Sequence, residues 1–469
     1  MATQETVQSR PFVGSPWRTR LGPRAQIAAA VLIVIAVGIF AGNAYLSQGY
    51  GPEGAVRQYF DAVQNGDAAT AFSDLQVGSP AAGTDAKLLD EAAMAAALRT
   101  SRPTYPSLDV GQATVTGPLA ILTASYQAAG GRKQLAMTLG RANGERQLGL
   151  YPRWRIAVLP GVLKVSVPSG VSGIVVDGRS VALAAGRTST VAVLPMPHQV
   201  AIPATAMLEG QSVPIDATSA NPDGWTVSFT PKLTAGGEAR ATAAIKDLFT
   251  TCAASSSSTP DGCPQSYDTR SNMQWQLIGD PVAGLTFGTD KAGQSTASGH
   301  YLFTFAFPTS SGATAHGIAG NGYTAKLAVT TTDIRVAAIA DDNSVPAVSR
   351  PGAASDQAAK DLVQKGFATC AAATDASPVD CPQTKLSARN SSKNVHWTLD
   401  GDPLAGATTA WDGNLDALMI KGTFGMAIEY DSTDPVGGHY RDRSDTKQYT
   451  AGLIVDSGVL RLIFIRGDF

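Results

Sequence analysis

The sequence predicts a multidomain α+β chain carried behind one transmembrane helix, with its strands mostly in antiparallel sheets. Three observations predict this. An uncharged apolar run lies near the N-terminus, helix-period segments are followed by runs of alternating strands, and the C-terminal half repeats itself. The 469 residues suffice for roughly three or four domains of ordinary size. Hydrophobic residues make up 44% of the chain, enough for packed cores, and the 16% of charged residues leaves Ser, Thr, Gly and Asn to solvate the surface. A net charge of −2 supplies no large positive field, so nucleic acid is not an expected partner.

Gln26 to Leu46 contains no charged residue, and about 20 apolar residues cover the hydrocarbon core as a helix. Arg10, Arg18, Arg20 and Arg24 precede this run, and no Lys or Arg follows until Arg57. The positive-inside rule therefore makes residues 1–25 a basic cytoplasmic tail, 26–46 the membrane helix, and the C-terminal remainder extracellular. The competing expectation is a cleaved signal peptide, with Gly42 and Ala44 as the small residues of a cleavage site. The long N-region and long apolar run favour the uncleaved anchor. Both routes export residues 50–469.

Residues 50–160 read as helices followed by strands. Pro52 suits the first turn of a helix, and Val56, Tyr59, Phe60 and Val63 share one face. Gly66-Asp67 stops it, Ala68–Leu75 suggests a second short helix, and Lys87–Leu98 a third. Strands are expected at Leu119–Tyr126, Gln134–Leu139 and Trp154–Leu159. The opening helix, its Asn65-Gly66-Asp67 stop and the late Arg153-Trp154-Arg155-Ile156 strand resemble the nuclear-transport-factor-2-like fold. That resemblance implies a cone-like α+β domain just outside the membrane.

Residues 161–233 show no helical period. Leu163–Val167, Gly173–Val176, Thr190–Leu194 and Gln199–Ile202 read as short strands, and Val176-Asp177-Gly178-Arg179 is a hairpin turn. Size and turn are similar to the PEGA-type modules of envelope proteins, which implies a small β-sandwich.

Residues 234–342 and 353–469 are two copies of one α+β domain, joined by a linker at 343–352 that holds Pro346 and Pro351. Ala241, Ile245, Phe249 and Cys252 recur as Ala359, Val363, Phe367 and Cys370. Met273-x-Trp275-x-Leu277 recurs as Val395-x-Trp397-x-Leu399, and each leads into Gly-Asp-Pro. Two further strands match, Tyr301 to Phe307 with Phe424 to Tyr430 and Tyr323 to Val329 with Tyr449 to Val455. The offset between copies is 118 residues at the cysteines, 122 at Trp and 126 at the last strands, so it changes only in loops. Each copy reads as one helix on an antiparallel sheet.

All four cysteines lie in these copies, in one Cys-x10-Cys-Pro frame. An exported location permits disulfides, and the shared frame pairs Cys252 with Cys263 and Cys370 with Cys381. Zinc needs four close ligands, and neither loop holds a His or a further Cys. No metal or cofactor is implied. His198, His300, His316, His396 and His439 form no paired motif, and no nucleophile elbow, phosphate loop or Ser-x-x-Lys set is present. Asp431, Asp434, Asp442 and Asp445 flank a Gly-Gly turn and read as a solvated hairpin tip rather than a calcium loop. Trp275 and Trp397 occupy period-2 strand positions, which favours core packing. The alternative is a pair of ligand platforms stacking on glycan rings.

The order of basic tail, membrane helix and tandem extracellular modules resembles envelope proteins associated with teicoplanin resistance. Those often begin with a zinc ribbon, which this chain lacks, having no cysteine before Cys252. The leading expectation is a non-enzymatic, membrane-anchored envelope protein that binds a wall polymer or an envelope protein partner. An enzyme with its site in the cone cavity, and a purely structural spacer, are the alternatives.

Overall fold

A computed structural model describes residues 28, 31–32, 34–35, 37 and 49–467, except 129, 219–220, 222, 269, 310–312, 386–391 and 444–446. The expected cytoplasmic tail lies outside the described residues. Of the expected membrane helix, Ala28, Val31, Leu32, Val34, Ile35 and Val37 are described, all helical and exposed. Among the described residues no helix is long and apolar enough to cross a membrane. The chain forms two compact units. One comprises Met1–Val162, Val191–His198 and Ile215–Gly224, and the other Leu163–Thr190, Gln199–Pro214 and Trp225–Phe469.

In the first unit, Pro52 opens α1 (Pro52–Asn65), which buries Val56, Tyr59, Phe60 and Val63. Gly66 ends it at φ 76°, the left-handed conformation that glycine adopts without steric cost. Asp67 then caps α2 (Ala68–Ser73) by accepting a 3.1 Å hydrogen bond from Thr70 N–H. Strands β1 (Leu75–Val77) and β2 (Asp85–Leu88) precede α3 (Glu91–Thr100). This corrects the helix expected over Lys87–Leu98. The Asp90 carboxylate accepts from Ala93 N–H at 2.7 Å and fixes the helix start, so Lys87 and Leu88 belong to a strand.

Strands β3 (Asp109–Val110), β4 (Thr114–Thr116), β5 (Leu119–Ala128), β6 (Gly131–Gln147) and β7 (Tyr151–Val158) complete a sheet of order β1-β7-β6-β5-β3, with β4 beside β5. Only β1 runs parallel to its neighbour, Leu75 opposite Ile156. The helices close over this sheet on Phe60, Met94, Leu139 and Ile156. Leu194 and Met196 join the same core, and Val191 and Val193 pair in parallel with Asp85 and Leu88. The first unit thus draws on segments well beyond residue 160.

Asp74, just before β1, is a charge in this core. Its side chain is 3% exposed, 3.5 Å from the Arg153 guanidinium, and Oδ2 has no hydrogen-bond partner. Burial outweighs the attraction of Arg153 and holds its pKa above the ordinary carboxylate value. A raised folded-state pKa gives stability that is present below the unfolded pKa and lost as pH rises through the folded one. Asp74→Asn should therefore gain stability relative to the parent as pH rises from acid to neutral. Melting temperatures across that range check this, and a relative loss would show that the Arg153 pair dominates.

Residues 161–228 carry β8 (Gly161–Ser166), β9 (Gly173–Val176), β10 (Arg179–Ala182), β11 (Thr188–Val193), β12 (Pro197–Ile202), β13 (Gln211–Asp216) and β14 (Trp225–Ser228), which belong to the second unit apart from the segments already assigned to the first. The β9–β10 hairpin turns at Asp177-Gly178, with φ 51° and 85°, as its sequence demands. β14 lies parallel to β8, Trp225 opposite Leu163.

Two similar layers follow. Helix α4 (Ala235–Ala253) packs on a sheet of order β15-β17-β18-β19, made of β15 (Gln274–Ile278), β17 (Ser295–Pro308), β18 (Thr314–Val329) and β19 (Ile334–Asp341), with β16 (Thr286–Thr289) on β17. Helix α5 (Asp356–Ala371) packs on β20-β22-β24-β25, made of β20 (Ser392–Asp400), β22 (Ala417–Ser432), β24 (Lys447–Asp456) and β25 (Val459–Gly467). There β21 (Thr408–Asp412) and β23 (His439–Arg443) also pair with β22. Corresponding rings meet in both cores, Phe249 with Tyr323 at 5.0 Å and Phe367 with Tyr449 at 4.9 Å.

The two sheets also use their second faces. Leu302 lies between Tyr301 and Phe303, whose rings face α4, so it points away from that helix. It is buried with Ile278, Ala417 and Ile454, and Ile318, Met419 and Ile463 pack around them. The copies therefore pack sheet to sheet, each helix on the far side of its own sheet. The segment expected as a linker is tied to both: His300 Nε2 donates to Pro346 O at 2.7 Å, and Val348 N–H to Gly413 O at 2.9 Å.

Candidate functional site

An extended concave surface lies in the second unit, where the ends of three short strands meet a hairpin turn. Ser166 ends β8, Thr188 opens β11 with Arg187 just before it, and Ser228 ends β14. Opposite them, the turn between β16 and β17 is shaped by Asp290, which accepts from the N–H groups of Ala292 and Gln294, each at 2.9 Å. These bonds hold the Asp290 carboxyl below the usual carboxylate range, that from Gln294 most. The enclosed cleft has a volume of about 670 Å³. A second cleft of about 420 Å³ is lined by Gln211, Lys232, Glu238 and Phe287. Thr230 and Thr289 line both, so the two form one furrow.

Hydroxyl and amide groups alternate with apolar side chains such as Val167, Phe229, Leu233 and Phe287 along its walls. Ser166 Oγ and Thr188 Oγ1 are 2.9 Å apart, and Gln211 Nε2 donates to Thr230 O. Lys232 is committed to Glu209 at 2.8 Å, and that hydrogen bond raises its pKa. Arg187 and Lys291 also line the cleft, and neither has a carboxylate partner among the described residues. The furrow thus offers two uncommitted cations among many neutral donors and acceptors. Such a surface suits an extended, polyhydroxylated, anionic chain.

A smaller cavity in the first unit is different in kind. Its volume is about 120 Å³, well below the roughly 300–1,000 Å³ of ordinary small-molecule sites. Tyr59, Phe60, Tyr105, Leu135, Met137 and Ile156 line it. Burial pushes the Tyr59 hydroxyl up to about 12. It raises Tyr105 as well, with Tyr59, Tyr126 and Asp216 adding to the effect. Both phenols stay protonated at neutral pH, and the lining carries no carboxylate, imidazole or amine to exchange a proton.

The stacking role raised for Trp275 and Trp397 is corrected by their burial. They are 6% and 3% exposed and leave no ring face for a sugar. Each indole Nε1–H donates to a carbonyl of its own cysteine loop, Ser257 O and Asp375 O, both at 2.8 Å. Those loops are closed by Cys252–Cys263 and Cys370–Cys381 bonds. Two further partners escape the sequence argument. Gln265 Nε2 donates to Cys252 O at 3.2 Å and Gln383 Nε2 to Cys370 O at 2.7 Å. Tyr323 Oη donates to Pro281 O at 2.8 Å and Tyr449 Oη to Pro403 O at 2.9 Å. A signal for the first existed, since both loops read Cys-Pro-Gln.

The histidines are scattered. His198 is buried against Leu194 O at 2.8 Å, His316 meets Asp380 at 2.5 Å, His439 meets Asp431 at 2.9 Å, and His396 is exposed. Asp431 also accepts from Asn394 at 2.7 Å, and Asp442 pairs with Lys385. Among the described residues no group of three or more His, Cys, Asp or Glu side chains is placed to hold a metal ion.

No family model matches the chain, and no curated protein matches it. A solved structure described as an Ntf2 like protein involved in plasmid conjugation is similar at 7% identity with a TM-score of 0.13, over 42% of this chain and 79% of that one. That likeness is slight, and it does not extend to teicoplanin resistance.

Proposed function

We propose that the chain is a membrane-anchored envelope protein, with its C-terminus outside, that binds an extended anionic and polyhydroxylated wall polymer in the furrow. The observation that carries this reading is the continuity of the two clefts through Thr230 and Thr289, with Arg187 and Lys291 unpaired alongside. Hydroxyl and amide groups match a polyol or glycan, and the cations match its phosphate or carboxylate groups. The disulfide pairs fit an oxidising, exported location. The exposed helical aliphatics among residues 28–37 fit an anchor.

Co-sedimentation of the full chain with purified insoluble wall material tests this. The chain should pellet with walls at low salt and be released at high salt, because exposed charges are screened within about 3 Å at 1 M. Walls stripped of their acidic polymers should retain less of it. Equal recovery in the supernatant with and without walls would sink the proposal.

A further inference from the structure

We propose that the tip of the β6–β7 hairpin is a second membrane contact, in which Leu148 and Leu150 enter the surface of an anionic bilayer and neighbouring arginines hold lipid headgroups. This inference rests on the proposed anchor for its position, but not for its chemistry. The tip is Leu148-Gly149-Leu150, between the paired residues Gln147 and Tyr151. Leu148 and Leu150 are 68% and 72% exposed, on a turn where solvated residues would serve the fold equally well. Leu148 also sits at φ 50°, a backbone region uncommon for leucine, so the turn geometry does not select it.

The base of the hairpin is cationic. Residues 141–155 hold four arginines, Arg141, Arg146, Arg153 and Arg155, against the single carboxylate Glu145, and Arg153 also pairs with Asp74 at 3.5 Å. Glu145 is shared by Arg153 at 3.4 Å and Arg155 at 2.9 Å. Arg141 lies over the Trp154 ring at 4.9 Å, and Arg146 is exposed with no carboxylate partner among the described residues. Apolar residues at a tip with arginines behind them match the layering of a bilayer surface, tails below and phosphates above.

Location supplies the independent argument. The Tyr151 ring stacks on the Tyr50 ring with centroids 5.3 Å apart. Tyr50 lies only four residues beyond Leu46, the end of the expected membrane helix. Four residues reach about 14 Å when extended and about 6 Å as helix. The hairpin is therefore pinned where an anchored chain leaves the bilayer, and paired tyrosines are favoured at that depth.

The test uses the full chain, whose four cysteines are all paired, so that an introduced thiol is the single labelling site. Leu148→Cys, and separately Leu150→Cys in case the first strains the turn, are labelled with an environment-sensitive fluorophore. Each is reconstituted into vesicles of phosphatidylcholine alone or with phosphatidylglycerol. A blue shift in the anionic vesicles, quenched by shallow spin-labelled lipid and diminished by Arg146→Glu, is the expected result. Alkali-resistant flotation of the same samples reads the anchor separately. Flotation with water-like emission from both labels in both vesicles would overturn the hairpin contact and leave the anchor standing. A shift without alkali-resistant flotation would uphold the contact and overturn the anchor, and absence of both signals would overturn both.

Discussion

Trp275→Ala and Trp397→Ala are each expected to lower stability by about 3–5 kcal/mol, the usual cost of emptying a buried aromatic site. Both indoles are more than nine-tenths buried. Trp275 meets Phe303 and Phe305 edge-on at 5.8 and 5.2 Å, so its loss opens a cavity between the sheet and the cysteine loop. It also removes the Nε1–H donor that ties Ser257, or Asp375 in the second copy, to the sheet. The disulfide still closes the loop, so the loss acts on packing rather than on connectivity. Calorimetry of the full chain checks this, with the affected transition moving several degrees down in each variant. Variants that melt like the parent would show that the tryptophans are dispensable to the core.

The repeated helices and strands are legible in the sequence for a physical reason. A strand that buries one face must alternate, and a one-residue slip would turn its whole apolar set to the wrong side. Tyr301, Phe303 and Phe305 in one copy, and Met426 and Ile428 in the other, therefore keep their phase while loops drift. The packing of one copy on the other is also written there, but faintly. Leu302, Ile318, Ile454 and Ile463 are apolar residues at the off-phase positions of strands otherwise read as half-exposed. Their meaning emerges only when both sheets turn those faces together.

The composition of the first unit is less legible. Leu194 and Met196 look like core residues of whatever lies next to them in the chain, yet they pack in the first unit. Apolar character says that a residue is buried and not against what. The furrow is not legible at all. Its walls come from Ser166, Arg187, Ser228, Thr230 and Thr289, distant in sequence and of types that turns employ anyway. Only the fold brings them into one line.

The charge-reversed double variant Arg187→Glu with Lys291→Glu tests the proposed furrow most directly. Both side chains are exposed and unpaired with carboxylates among the described residues, so the fold should tolerate the exchange with little change in melting temperature. Replacing two attractions by two repulsions, each on the order of 0.5–1 kcal/mol at a solvated site, predicts a loss of affinity of at least about tenfold. The measurement is a binding isotherm of parent and variant on a soluble acidic wall polymer, repeated across ionic strength. The expected result is a parent isotherm that weakens with salt and a variant isotherm that is weak at every salt. Binding by the folded variant as tight and as salt-dependent as the parent's would contradict the furrow as the polymer site.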